Sequence, residues 1–150
     1  MGKTTEKYIS SGIADYSERI GKLTGFEIIT VSELKNTKNM PVSEQVLREG
    51  KLLLQNIGRD DFVILLHRNG KRLGTIEFAS ELEKFLMLQK KRLVFIIGGA
   101  WGVSDDVHSR ADYKLSLSDM TFSHQMVRLL FMEQLYRVLT IIKGIPYHHS

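Results

Sequence analysis

Phe62-Val63-Ile64-Leu65-Leu66 and, further on, Leu93-Val94-Phe95-Ile96-Ile97 are the two stretches on which the fold turns. Each is an unbroken apolar run too short for a buried helix and rich in β-branched residues, the pattern of a parallel strand covered on both faces. Between them Ile76, Phe78, Ala79, Leu82, Phe85 and Leu86 recur at helical spacing behind Thr75, a residue suited to an N-cap. Asn69-Gly70 alone would suggest a hairpin. The helical period that follows argues instead for a crossover helix, and a strand, a helix and a strand in that order make a parallel pair.

Working outward, Ile9, Ile13, Ile20 and Leu23 form one stripe of a helix over residues 5–23, stopped by Gly25. Residues 26–31 (FEIITV) read as a further buried strand, and Val46, Leu47, Leu53, Leu54 and Ile57 as a helix ending near Gly58. Residues 113–117 read as a short strand. A long helix over residues 123–143 follows, with Val127, Leu130, Phe131, Leu135, Val138, Leu139 and Ile142 on its main apolar face and Met126, Leu129 and Met132 beside it. The expectation is one α/β domain over residues 1–150, a parallel sheet with helices on both faces and ligands at the carboxyl ends of its strands. The loops 66–74, 98–105 and 117–124 then carry the function.

Composition narrows the chemistry. The 150 residues are 43% hydrophobic and 25% charged and include no cysteine, which excludes disulfide scaffolds, thiol catalysis and cysteine-ligated zinc. No apolar stretch approaches the roughly 20 residues of a membrane span, and residues 1–12 lack the apolar core of a signal peptide. A soluble, cytoplasmic protein is expected. The formal charge of +4 permits a polyanionic partner without requiring one. Gly98-Gly99-Ala100-Trp101-Gly102 follows a strand, yet it has neither the GxGxxG order of a dinucleotide fingerprint nor the GK[ST] ending of a P-loop. The five histidines, His67, His108, His124, His148 and His149, lack metal-ligand spacing, so no metal is expected. Leu117-Ser118-Asp119-Met120-Thr121-Phe122-Ser123-His124 could be only a capping turn. Arg68, Lys71 and Arg72 form a basic group on a presumed functional loop, a candidate phosphate contact.

Taken together, the strand ending IIGG, the LSDMTFSH segment, the RLLFMEQLYR helix and the terminal PYHH are similar to the ribosomal RNA large-subunit methyltransferase H family, of the SPOUT class. The resemblance runs from Gly2-Lys3 to the terminus. It implies an α/β fold with a C-terminal trefoil knot, a homodimer, and S-adenosylmethionine-dependent methylation of N3 of a pseudouridine in large-subunit (23S) ribosomal RNA on the assembled ribosome. By motif match it assigns cofactor contacts to Leu66, Gly98, Leu117, Ser118, Asp119, Met120, Thr121 and Phe122. Arg137, Tyr147 and His148 fall at the target site, with His148 a proton acceptor and Tyr147 a stacking ring. Gly144 and Pro146 break the last helix, so the tail should project as a short extended segment. Family members begin with a short apolar strand ahead of the Gly-Lys that here is Gly2-Lys3, so the sheet should lack one strand and leave unpaired edges. The alternative is a ribosome- or RNA-binding module of the same fold without transfer activity, which S-adenosylmethionine titration would separate from the enzyme.

Overall fold

The structure, a computed structural model, describes residues 1–149. They fall into two compact units, each assembled from several chain segments.

The first unit comprises Met1–Lys3, Thr30–Lys71 and Lys90–Ser116. Its strands are β1 (Phe62–Arg72), β2 (Leu93–Ile97) and β3 (Tyr113–Ser116), in the order β2-β1-β3, and its helices are α2 (Val42–Leu54) and α4 (Asp105–Arg110). β1 and β2 pair in parallel from Phe62 opposite Leu93 to Leu66 opposite Ile97, as their apolar runs require. Val63 and Leu65 share a face and are fully buried with Ile96 and Val107, against Leu53, Leu54 and Ile57 from the α2 side. Ile64, on the opposite face, is also fully buried. Side chains of this kind contribute about 1.5–3 kcal/mol each when buried.

β1 continues through His67-Arg68-Asn69-Gly70-Lys71-Arg72, a stretch read from sequence as loop. Gly70 explains the extension: a Cβ there would lie 2.5 Å from the backbone of Leu115 in β3, so only a glycine lets the two strands meet at this point. At the start of the sheet, buried Asp61 accepts from Arg92 Nε (3.0 Å) and Nη2 (2.5 Å) and from the Gly58 amide (2.7 Å). Arg92 holds the Asp61 carboxyl below the usual carboxylate range.

The second unit comprises Thr4–Ile29, Arg72–Gln89 and the chain from Leu117 onward. Its helices are α1 (Lys7–Gly21), α3 (Thr75–Met87) and α5 (Met126–Ile142), with α5 packed against both others. Phe131, Leu135, Val138 and Leu139 of α5, Ile9 and Ile20 of α1, and Phe78, Ala79, Leu82 and Phe85 of α3 are buried. α3 starts one residue earlier than Thr75 would suggest, with Gly74 at the cap and its amide donating to the Glu77 carboxylate at 2.8 Å. The side-chain carbonyl of Gln125 caps α1, accepting from the amides of Thr5 (3.0 Å) and Glu6 (3.2 Å).

Three expectations change. Residues 26–31 form no strand: Ile28 and Ile29 are each 49% exposed, and no ladder pairs them. An apolar run becomes a strand only when a neighbour takes its backbone groups, and here Val31 accepts a single bond, from the Gly2 amide. The short helix α4 was not anticipated, being too brief to show a period. Finally, two of the extra apolar residues of α5 pack inside the unit: Met132 is buried, and Leu129 sits where a Cβ on Gly12 would come within 2.8 Å.

Candidate functional site

Among the residues assigned to the cofactor, Leu66 and Gly98 belong to the first unit and stand side by side. Leu66 pairs with Ile97, the residue before Gly98, at the carboxyl end of β2. Gly98 opens a tight loop closed by a bridge between Gly99 and Gly102, with Gly102 in the left-handed region (φ 86°). A Cβ on Gly98 would come within 2.9 Å of Val103 Cγ1 and 3.2 Å of the Gly102 carbonyl, so its glycine is required by the loop's own packing. Trp101, within this loop, is 60% exposed.

Leu117, Ser118, Asp119, Met120, Thr121 and Phe122 follow β3 and belong to the second unit. Ser118 Oγ accepts from the Met120 amide at 2.9 Å, shaping a turn that leaves Met120 74% exposed and Phe122 partly so. Asp119 pairs with Arg72 Nε at 2.5 Å. Arg72 of the basic group is therefore charge-compensated, while Arg68 and Lys71 remain exposed. The capping reading also holds in part, because Ser123 Oγ accepts from the Met126 amide at the start of α5.

Arg137, Tyr147 and His148 are brought together, all on the second unit. α5 ends at Ile142, and two residues on the left-handed backbone of Gly144 (φ 66°) turns the chain back; the Ile145 amide then donates to the Thr140 carbonyl at 2.9 Å. The tail therefore does not project: Tyr147 docks on α1 and α5. Its ring lies edge-on to Tyr136 with centroids 4.8 Å apart and beneath the Arg137 guanidinium at 4.8 Å. Its hydroxyl is 3.3 Å from that of Tyr16 and 3.5 Å from Glu133 Oε1. The Tyr16 contact and burial push the Tyr147 phenol up to about 12, so at neutral pH it is a donor.

Arg137 donates Nε (2.9 Å) and Nη2 to Glu133 Oε1, and Nη1 lies 3.4 Å from His148 Nδ1. Glu133 raises the already high affinity of the guanidinium for its proton. A guanidinium can only donate, so Nδ1 of a neutral His148 must accept, which leaves the ring proton on Nε2. As placed, His148 offers an N–H rather than a free lone pair. The cluster presents donors from three side chains, Arg137, Tyr147 and His148.

Sequence reasoning missed Tyr16, Glu133 and Tyr136. Glu133 and Arg137 carry a legible signal, an acid four residues ahead of a base on one helix. Tyr16 carries none. Of the remaining histidines, His67 and His108 meet edge to face at 4.8 Å in the first unit, and burial, then His108, lowers the proton affinity of His67. Among the described residues no three His, Asp or Glu side chains gather as metal ligands, and no helix is long and apolar enough to cross a membrane.

Comparison with known proteins places the chain in a family. A family model described as "Predicted SPOUT methyltransferase" matches residues 1–148. A protein of Christiangramia forsetii named ribosomal RNA large subunit methyltransferase H is 47% identical over 99% of this chain and 95% of its own length. Proteins of the same name from Phocaeicola vulgatus and Bacteroides fragilis are each 46% identical over the whole chain and 96% of their own lengths. With the fold, the strand-end glycine loop and the folded-back tail in one chain, and relatives of nearly equal length sharing close to half their residues, this protein belongs to the SPOUT methyltransferase family.

Proposed function

We propose that the protein, a single methyltransferase domain over residues 1–150, transfers a methyl group from S-adenosylmethionine to N3 of a pseudouridine in large-subunit ribosomal RNA. In this reading it acts in the cytoplasm, as a homodimer, on the assembled ribosome. The observation that carries the proposal is the gathering of Arg137, Tyr147 and His148 at the end of α5, with the Arg137 guanidinium against both tail residues.

The residues assigned to the cofactor fit it. Adenine and a methionine side chain need apolar contact and backbone hydrogen bonds more than charge. The 117–122 segment presents exposed Met120 and Phe122, and its one charged member, Asp119, is paired with Arg72. When bound, S-adenosylmethionine supplies an electrophilic methyl on a sulfonium. The chain's own residues act on the nucleophile. N3 of a pseudouridine lies between two carbonyls, and its proton passes to water as the N–C bond forms and the C–S bond breaks. Charge on the ring spreads to those carbonyl oxygens. Arg137, Tyr147 O–H and His148 Nε2–H are the groups to hold it, and removing one such donor costs about 10²–10³ in rate. Arg68 and Lys71 are left to meet RNA phosphates.

The dimer is supported by large apolar side chains left exposed on α1 and α3, Tyr8, Ile76 and Met87, and light scattering at micromolar concentration measures it. The function is tested by methyl transfer from radiolabelled S-adenosylmethionine to ribosomes lacking the modification. Label in large-subunit RNA at a pseudouridine is expected. Cofactor binding with no label in any ribosomal RNA would establish the non-catalytic module instead.

A further inference from the structure

Past Gly144 no helix constrains the chain, yet Tyr147 and His148 are half buried, and the side chains that hold them come from elsewhere in the unit. Glu133 engages Arg137 through Nε and Nη2, which leaves Nη1 as the nitrogen directed at His148. The same guanidinium covers the Tyr147 ring. One carboxylate thus sets the plane on which both tail residues rest. The hydroxyl contacts have a direction. Glu133 only accepts, so Tyr147 donates to it, and Tyr16 must donate to Tyr147. At 3.5 Å the Tyr147–Glu133 contact is at the limit of a hydrogen bond, so a substrate oxygen at ordinary distance can take that proton. The Tyr16 contact remains in place while it does so.

We propose that Tyr16 and Glu133 are positioning residues for methyl transfer: Glu133 orients Arg137, and Tyr16 orients the Tyr147 hydroxyl by donating to it. This rests on the reading of Arg137, Tyr147 and His148 as the target-site donors. Neither residue touches substrate. Tyr16 adds to the site only a hydroxyl and a ring that meets Tyr136 at 5.9 Å, and it is joined to Tyr147 across 131 residues of sequence. Losing its hydroxyl should change the aim of Tyr147 without removing a catalytic group.

The test is single-turnover methyl transfer to ribosomes by Tyr16→Phe, Glu133→Gln, Tyr147→Phe and the double variant Tyr16→Phe/Tyr147→Phe, with cofactor affinity measured by calorimetry. Tyr16→Phe is expected to slow transfer about three- to tenfold, the worth of one hydrogen bond, with cofactor affinity unchanged. In the Tyr147→Phe background the Tyr16 change should have no further effect, which a merely structural role would not produce. Glu133→Gln should slow transfer at least as much. Tyr16→Phe as fast as the unaltered protein, or additive losses in the double variant, would overturn the positioning role while Tyr147→Phe stays slow. If Tyr147→Phe and Arg137→Lys also transfer at the normal rate, the reading of the tail fails as well.

Discussion

Replacing Asp61 by Ala should be among the most destabilising single changes away from the tail. Its carboxylate is fully buried and accepts two hydrogen bonds from Arg92 and one from the Gly58 amide, joining the starts of β1 and β2. Breaking a buried pair by removing one partner costs about 3–5 kcal/mol. The Arg92 side chain is 39% exposed and rehydrates once released, which places the loss at the low end, about 3 kcal/mol. For a chain of this length each kcal/mol moves the midpoint by about 2–4 °C, so thermal unfolding followed by circular dichroism at pH 7 should show Tm lower by about 6–12 °C. Asp61→Asn, which keeps the shape and one acceptor, should lose less. The pH dependence has a fixed sign. The folded carboxyl lies below its ordinary value of 3.8, so the stabilisation is whole above that value and drains away as pH falls through the depressed folded value. The gap between the two proteins should therefore persist from pH 7 down to about 4 and close only in stronger acid. A Tm shift under about 2 °C at pH 7, or a gap that closes near pH 6, would refute this account of the pair.

Deleting residues 147–150 should reduce single-turnover methylation by about 10²-fold or more with cofactor affinity retained, since it removes two donors and the ring under Arg137; Ser150 lies outside the described residues. Gly98→Val should weaken S-adenosylmethionine binding at least about tenfold in calorimetry, because the new side chain collides with Val103 and the Gly102 backbone and displaces the loop. Charge reversal at Arg68 and Lys71 should weaken ribosome association and flatten its dependence on salt while leaving cofactor affinity intact, as filter binding across a salt series would show. Arg72→Glu should in addition set two acids against each other at Asp119, and a partial rescue by Asp119→Arg in the same assay would confirm their pairing.

The parallel core was legible because Val63, Ile64 and Leu65 are buried on both faces of β1, beside the half-buried apolar residues of β2, and burial writes itself into consecutive apolar residues. Residues 26–31 have the same look and a different fate. Composition reports what a stretch tolerates, whereas a strand exists only through the backbone beside it. The converse holds at His67–Arg72, where polar side chains hide a strand made by its neighbour's approach at Gly70. In the candidate site, family motifs pointed to Arg137, Tyr147 and His148, and Gly144 signalled the end of α5. The return of the tail onto Tyr16 and Tyr136 left no trace in the sequence, because aromatic rings that meet across the unit obey no local period.

The Gln125 cap on α1 has a consequence for how the protein is made. The amides of Thr5 and Glu6 find their acceptor about 120 residues downstream. At translation speeds of about 5–20 residues per second, that partner is synthesised some 6–24 s after them. The helix that opens the chain therefore leaves the ribosome with the two amides that lead into its first turn still lacking this acceptor. It also lacks the α5 surface that buries Ile9 and Ile20, and short isolated helices are marginal in water. Its completion is deferred to the end of synthesis, when the last helix arrives with both the cap and the apolar face.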